Sequence, residues 1–297
     1  MKPVTAARRG GRHHPARRPL AAGLPGPAAA RGFTLVEIAI ATMILGLLAV
    51  GIIGSLSQQA EQRRFAETRT QLDRARGALL AFVTTNGRLP CPATTASAGQ
   101  EVITSAPTAN PTTCAVEAGL LPAVTLGMPD VGTGGWVENG WNDSASAMAT
   151  RPRALRYGVS RLSGTEQHAL TSSRLGATDA TAGTRRAAVQ ARFANGEGWF
   201  VCASSTGIVG AGNRCGNPAN ALALAAAAAV WSTGGNGHRA AAWSADERQN
   251  ALVTVPRVAI SRTVAPEGAV GGAFDDQVTW LPFTLVAERL VVTGLLP

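Results

Sequence analysis

The sequence predicts an α+β fold in which one long N-terminal helix leads into a loop-rich β-sheet head. Three observations predict it. An apolar run of 24 residues from Phe33 to Leu56 carries Glu37 as its only charge. A seven-residue recurrence of apolar side chains follows that run without a helix breaker. Beyond Gly87, short β-prone segments alternate with stretches rich in Gly, Pro, Ser and Thr.

Residues 33–56 read as a transmembrane or assembly helix. At about 1.5 Å per residue, roughly 20 residues cross the hydrocarbon core, and the h-region of a secretory signal is only about 7 to 15 residues long. The 297-residue chain has a net charge of +9, but Lys2, Arg8, Arg9, Arg12, Arg17, Arg18 and Arg31 all precede Phe33 with no acid among them. Removing those seven positive charges leaves +2 for everything downstream. Residues 1–32 are therefore a basic leader, which the positive-inside rule keeps cytoplasmic while the C-terminal bulk goes outside. A nucleic-acid partner is not expected from so weakly basic a remainder.

Residues 57–86 read as an amphipathic continuation of the same helix. Phe65, Leu72 and Leu79 recur every seven residues, with Thr68, Ala75 and Phe82 beside them and Glu61, Arg63, Arg64, Glu67, Arg69, Asp73, Arg74 and Arg76 on the other face. Asn86-Gly87 supplies a C-terminal stop, and Pro90 prevents resumption.

Glu37 is the anomaly of the apolar run. A carboxylate inside a spanning helix is costly and ordinarily has a partner, although an acid near the interface also reaches the headgroups. The surrounding residues Arg31-Gly32-Phe33-Thr34-Leu35-Val36-Glu37 resemble the processing site of type IV prepilins and type II secretion pseudopilins. The resemblance implies a pilin-like fold, cleavage by a prepilin peptidase after Gly32, and N-methylation of the new N-terminal Phe33. It further implies that Glu37 neutralises the N-terminal ammonium of an adjacent subunit. Two buried opposite charges offset a desolvation cost that each would otherwise bear alone. The implied protein is a structural subunit, major or minor, of a pilus or secretion pseudopilus, and not an enzyme. Its partners would be the peptidase, other pilin or pseudopilin subunits, the inner-membrane assembly machinery and membrane lipid. Its location would be the bacterial inner membrane, single-pass with the head in the periplasm, and then the filament.

Residues 87–297 form the head. Candidate strands are Leu155 to Ser160, Ala188 to Phe193, Gly198 to Ala203, Ala223 to Ser232, Leu252 to Ile260 and Gln277 to Leu281. The alanine run inside the fourth suits a helix equally well by propensity. Phe283 to Val292 reads as a last short helix, and 94–111 and 132–150 read as loops. Cys91 with Cys114 and Cys202 with Cys215 form two local pairs, which an oxidising compartment would make disulfides; four buried thiols are the alternative. Arg88-Leu89-Pro90-Cys91-Pro92, Gly119-Leu120-Leu121-Pro122, Gly140-Trp141-Asn142-Asp143 and Leu155-Arg156-Tyr157 also look like pseudopilin loop segments.

The sequence contains no HExxH, GxSxG or GxxxxGK[ST] motif. His168 and His238 lie in polar, glycine-rich surroundings that suit solvated loops. Asp275 and Asp276, with Asn236 or Asp246 as helpers, are candidate oxygen ligands for calcium, which major pseudopilins bind in a head loop. The competing reading is a pair of aspartates capping the turn before Trp280. Two other functions compete with the filament reading. One is a membrane-anchored periplasmic enzyme or binding module that uses Trp136, Trp141, Trp199, Trp231, Trp243 and Trp280 as stacking platforms. The other is a minor pilin for DNA uptake, which needs a basic face on the head.

Overall fold

The computed structural model describes residues 32–104, 113–129, 131–141, 153–172, 182–208, 214–237, 240–253 and 257–294, without the side chains of 48–57, 166 and 182. The chain divides into two compact units with the boundary between Ser55 and Leu56. Helix α1 runs Leu35–Asn86. It ends where the sequence predicts, because Gly87 takes a left-handed φ of 66° that accepts the reversal without a Cβ clash.

The expected combination of a membrane half and an amphipathic half is corrected. No helix among the described residues is long and apolar enough to cross a membrane. From Glu61 onward the helix is densely charged. The described fold is α+β with a mixed sheet.

In the second unit, α1 buries Thr68, Leu72, Ala75, Leu79 and Val83. Steps of four, three, four and four residues follow the 3.6-residue period of a straight helix, so Phe65 and Phe82 fall to the half-buried flanks. This stripe packs into the main core with Leu121, Leu155, Tyr157, Val230, Leu281 and Leu290.

The sheet has six strands, in the order β1 (Ala118–Leu120), β2 (Arg156–Val159), β4 (Ala221–Ser232), β3 (Trp199–Cys202), β5 (Val258–Ile260), with β6 (Gln277–Pro282) also pairing with β4. β3 and β5 run parallel and the other pairs antiparallel. The alanine run is strand. Ala228 and Val230 face the main core, while Ala229 and Trp231 face a second cluster around Trp199. Small side chains on a central strand let bulky neighbours approach from both sides, and that packing overrides the helical preference of alanine. Gly158 serves the same end: a Cβ there would lie 2.0 Å from the Trp199 ring.

Two sequence expectations fail here. Ala188 to Phe193 is not a strand but part of α2 (Ala182–Ala194), whose Ala, Arg and Gln residues are strong helix formers. Its Arg185, Val189 and Phe193 are buried at four-residue spacing, a helical stripe that the short window 188–193 concealed. Of Leu252 to Ile260, only Val258–Ile260 is strand, because Leu252 closes helix α3 (Ala245–Leu252). The last helix, α4, spans Phe283–Val292 as expected.

Both cysteine pairs are disulfides, Cys91–Cys114 and Cys202–Cys215, and no described cysteine is free. They close loops of 23 and 13 residues, each worth about 3 kcal/mol in the chain-entropy account.

Candidate functional site

Gly32 and Phe33 precede α1 and are exposed. At the first turn, the Thr34 amide and hydroxyl each donate to Glu37 Oε2 at 3.0 Å, and the Glu37 amide donates to Thr34 Oγ1 at 3.2 Å. This is a capping box, in which residues three apart satisfy each other's orphan donors. The Thr34-x-x-Glu37 spacing is legible in the sequence and gives Glu37 a local structural role beside its charge. The box holds the carboxylate one residue away from the backbone nitrogen that becomes the N-terminus if the chain is cut before Phe33. Around it, Leu35, Val36, Ile38, Ile40, Met43, Ile44, Leu45 and Leu47 are all at least half exposed. A single surface helix normally hides one apolar stripe, whereas this segment presents apolar side chains all round.

The second candidate lies in the head, where three elements converge. Glu247 comes from α3, Asp275 and Asp276 from the segment before β6, and Asn236 from the turn after β4. Carboxylate oxygens of Glu247, Asp275 and Asp276 lie within 4.8 Å of one another. Glu247 is placed by a second capping box, with its Oε2 accepting from the Ser244 amide at 2.9 Å. Its Oε1 accepts from Asn236 Nδ2 at 2.8 Å. Asp275 Oδ2 accepts from the amides of Gly235 and Asn236, at 2.8 and 3.2 Å. Asp276 is buried, and its Oδ2 accepts from Asn250 Nδ2 at 2.8 Å. Oδ1 of Asp275, Oδ1 of Asp276 and Oδ1 of Asn236 are buried without a hydrogen-bond partner.

Burial pushes the Asp275 carboxyl up to about 6, with the charge of Glu247 adding to the rise and the Gly235 and Asn236 amides opposing it. Burial likewise holds Asp276 well above the usual carboxylate range, aided by the charges of Asp275 and Glu247 and opposed by Asn250. Asp275, Asp276 and Asn236 were expected from the sequence, whereas Glu247, signalled by the Ser244-x-x-Glu247 capping box, was not. Asp246, the other expected helper, is already saturated. Ser205 donates to Asp246 Oδ1 through amide and hydroxyl, both at 2.7 Å, and Arg262 pairs with Oδ2 at 2.8 Å.

Oxygen donors so close suit a hard cation, since oxygens up to about 4.8 Å apart can share an ion that sits 2.3–2.6 Å from each. Three protein carboxylates and an amide oxygen supply part of the six to eight ligands calcium takes, and water would complete the shell.

Four of the six tryptophans are too buried to serve as stacking platforms. Trp199 and Trp231 are fully buried, and Trp141 and Trp243 are nearly so. Trp141 is covered by Phe65, edge-on at 5.1 Å, and by the Arg64 guanidinium at 5.4 Å. Half-buried His168 is held below its ordinary range by burial first and then by the positive charge of Arg161. His238, Asn142 and Asp143 lie outside the described residues. No protein-family model, curated protein or solved structure matches this chain.

Proposed function

We propose that the chain is a structural subunit, major or minor, of a type IV pilus or type II secretion pseudopilus. It is cut by a prepilin peptidase between Gly32 and Phe33 and polymerises through its N-terminal helix. The observation that carries this reading is the segment Phe33 to Leu47, apolar on every side and exposed, with one acid at its first turn. Such a surface is stable only when covered, and a bundle of like helices covers it most fully. Glu37 then meets the amine of a neighbouring Phe33, and the Thr34 box keeps its carboxylate at the end of the helix where that amine arrives. The two disulfides agree with a head in an oxidising compartment outside the cytoplasm. Burial of four of the six tryptophans argues against the binding-module alternative. Mass spectrometry of the N-terminal peptide should show methylated phenylalanine at position 33. An intact leader, or a cut elsewhere, refutes the assignment.

A second reading concerns the head: Glu247, Asp275, Asp276 and Asn236 hold a calcium ion. The orphaned Oδ1 of buried Asp276 favours it, because an uncompensated carboxylate oxygen is costly and a divalent cation removes that cost. The ion's chemistry here is structural, joining α3, the turn after β4 and the start of β6. Calcium at 100 times its Kd should stabilise the full chain by about 2.7 kcal/mol, seen as a rise in melting temperature. Asp276→Asn should abolish the rise. The same melting curve with and without millimolar calcium would end this reading.

A further inference from the structure

β6 pairs with β4 from Gln277 opposite Ser232 to Pro282 opposite Ala226, and there the chain turns into α4. β4 continues past this point to Ala221. Among the described residues, Ala221 and Ala223 pair only with β3, through Cys202 and Val201. Among the described residues the other edge of 221–224 has no strand partner, a template for one more strand, and Ala225 with its left-handed φ of 56° bounds it.

The space a longer β6 would fill is a cleft of about 750 Å³, lined by Phe193 of α2, Leu224 and Ala225 of β4, and Phe283, Ala287 and Val291 of α4. Phe193 and Phe283 stack at 4.3 Å. Leu222 and Leu224 are 50% and 58% exposed. The open edge thus lies beside an apolar floor, the combination that an added strand needs.

The charges select the occupant. Arg186 and Glu288 both line the cleft, and neither has an ion-pair partner among the described residues. Nη1 of Arg186 is buried without an acceptor. A two-fold contact brings residue i of one copy to residue j of the other and repeats the pair in reverse, so one unpaired cation and one unpaired anion in the same cleft are self-complementary.

We propose that the cleft receives strand 221–224 of a second copy of this chain, antiparallel about an axis through Ala223. Leu222 of each copy then lies opposite Leu224 of the other, and Arg186 meets Glu288 twice. A two-fold contact closes on itself, so it joins two subunits outside the repeat of a polar filament. It neither requires the filament reading nor follows from it.

The test uses the full chain. The four native cysteines are paired, so Ala223→Cys adds a single free thiol. Directly opposed Cβ atoms in an antiparallel pair lie about 4.5–5.5 Å apart, close enough to oxidise with a small adjustment. On non-reducing gels Ala223→Cys should form a disulfide-linked homodimer at least about tenfold more than Val270→Cys, a fully exposed control outside the cleft. Adding Glu288→Arg should abolish the excess, and adding Arg186→Glu as well should restore it. That rescue separates a lost contact from a lost fold. Equal cross-linking of the two cysteine variants, linkage only to other proteins, or no rescue by the charge exchange overturns the proposal. The N-terminal mass read on the same sample keeps the two proposals apart: methylated Phe33 without dimer sinks only this one, and dimer with an intact leader sinks only the filament reading.

Discussion

Glu37→Ala is expected to be cut between Gly32 and Phe33 as efficiently as wild type, yet to fall by roughly tenfold or more in sheared filaments. The cut bond lies outside the helix, and the glycine before it is intact. Filament entry differs because an incoming ammonium would enter the apolar bundle unpaired and bear its desolvation cost alone. The capping box supplies a competing explanation, namely that loss of Glu37 merely frays the first turn of α1. Glu37→Gln separates the two, because glutamine serves the box as well as glutamate does but carries no charge. Incorporation between that of alanine and wild type supports the charge role. Full incorporation of Glu37→Gln would reduce Glu37 to a cap, and full incorporation of Glu37→Ala would leave it no role in assembly.

Leu79→Ala should destabilise the head by about 2–5 kcal/mol in chemical denaturation of the full chain. Leu79 is fully buried at the centre of the α1 stripe, with Ala75 and Val83 a turn away on either side. Truncation removes its own burial and leaves a void that a helix clamped at both neighbours closes poorly. Val270→Ala, at a fully exposed side chain, should change stability by less than about 0.5 kcal/mol. A Leu79→Ala cost below about 1 kcal/mol would mean that the stripe does not anchor the head on α1.

The parts legible in the sequence were those with a local cause. The end of α1 at Asn86 follows from Gly87, whose missing Cβ permits the reversal. α4 was readable from its apolar spacing, and both disulfides from cysteines close enough in the chain to close short loops. α3 was equally local, announced by the Ser244-x-x-Glu247 capping box, and was not among the expected elements. α2 was lost because a six-residue window cannot separate period 2 from period 3.6.

What the sequence by itself determined is the first turn of α1, because Thr34 and Glu37 of its capping box lie three residues apart. Tertiary structure alone decided that 221–232 is strand, that Asp246 is spent on Ser205 and Arg262, and that Glu247 joins Asp275 and Asp276. Those outcomes depend on neighbours tens of residues away along the chain. Alanine becomes strand only when Trp199 and the α1 stripe close on its two faces, and a carboxylate is free to meet a cation only if no distant donor has already claimed it.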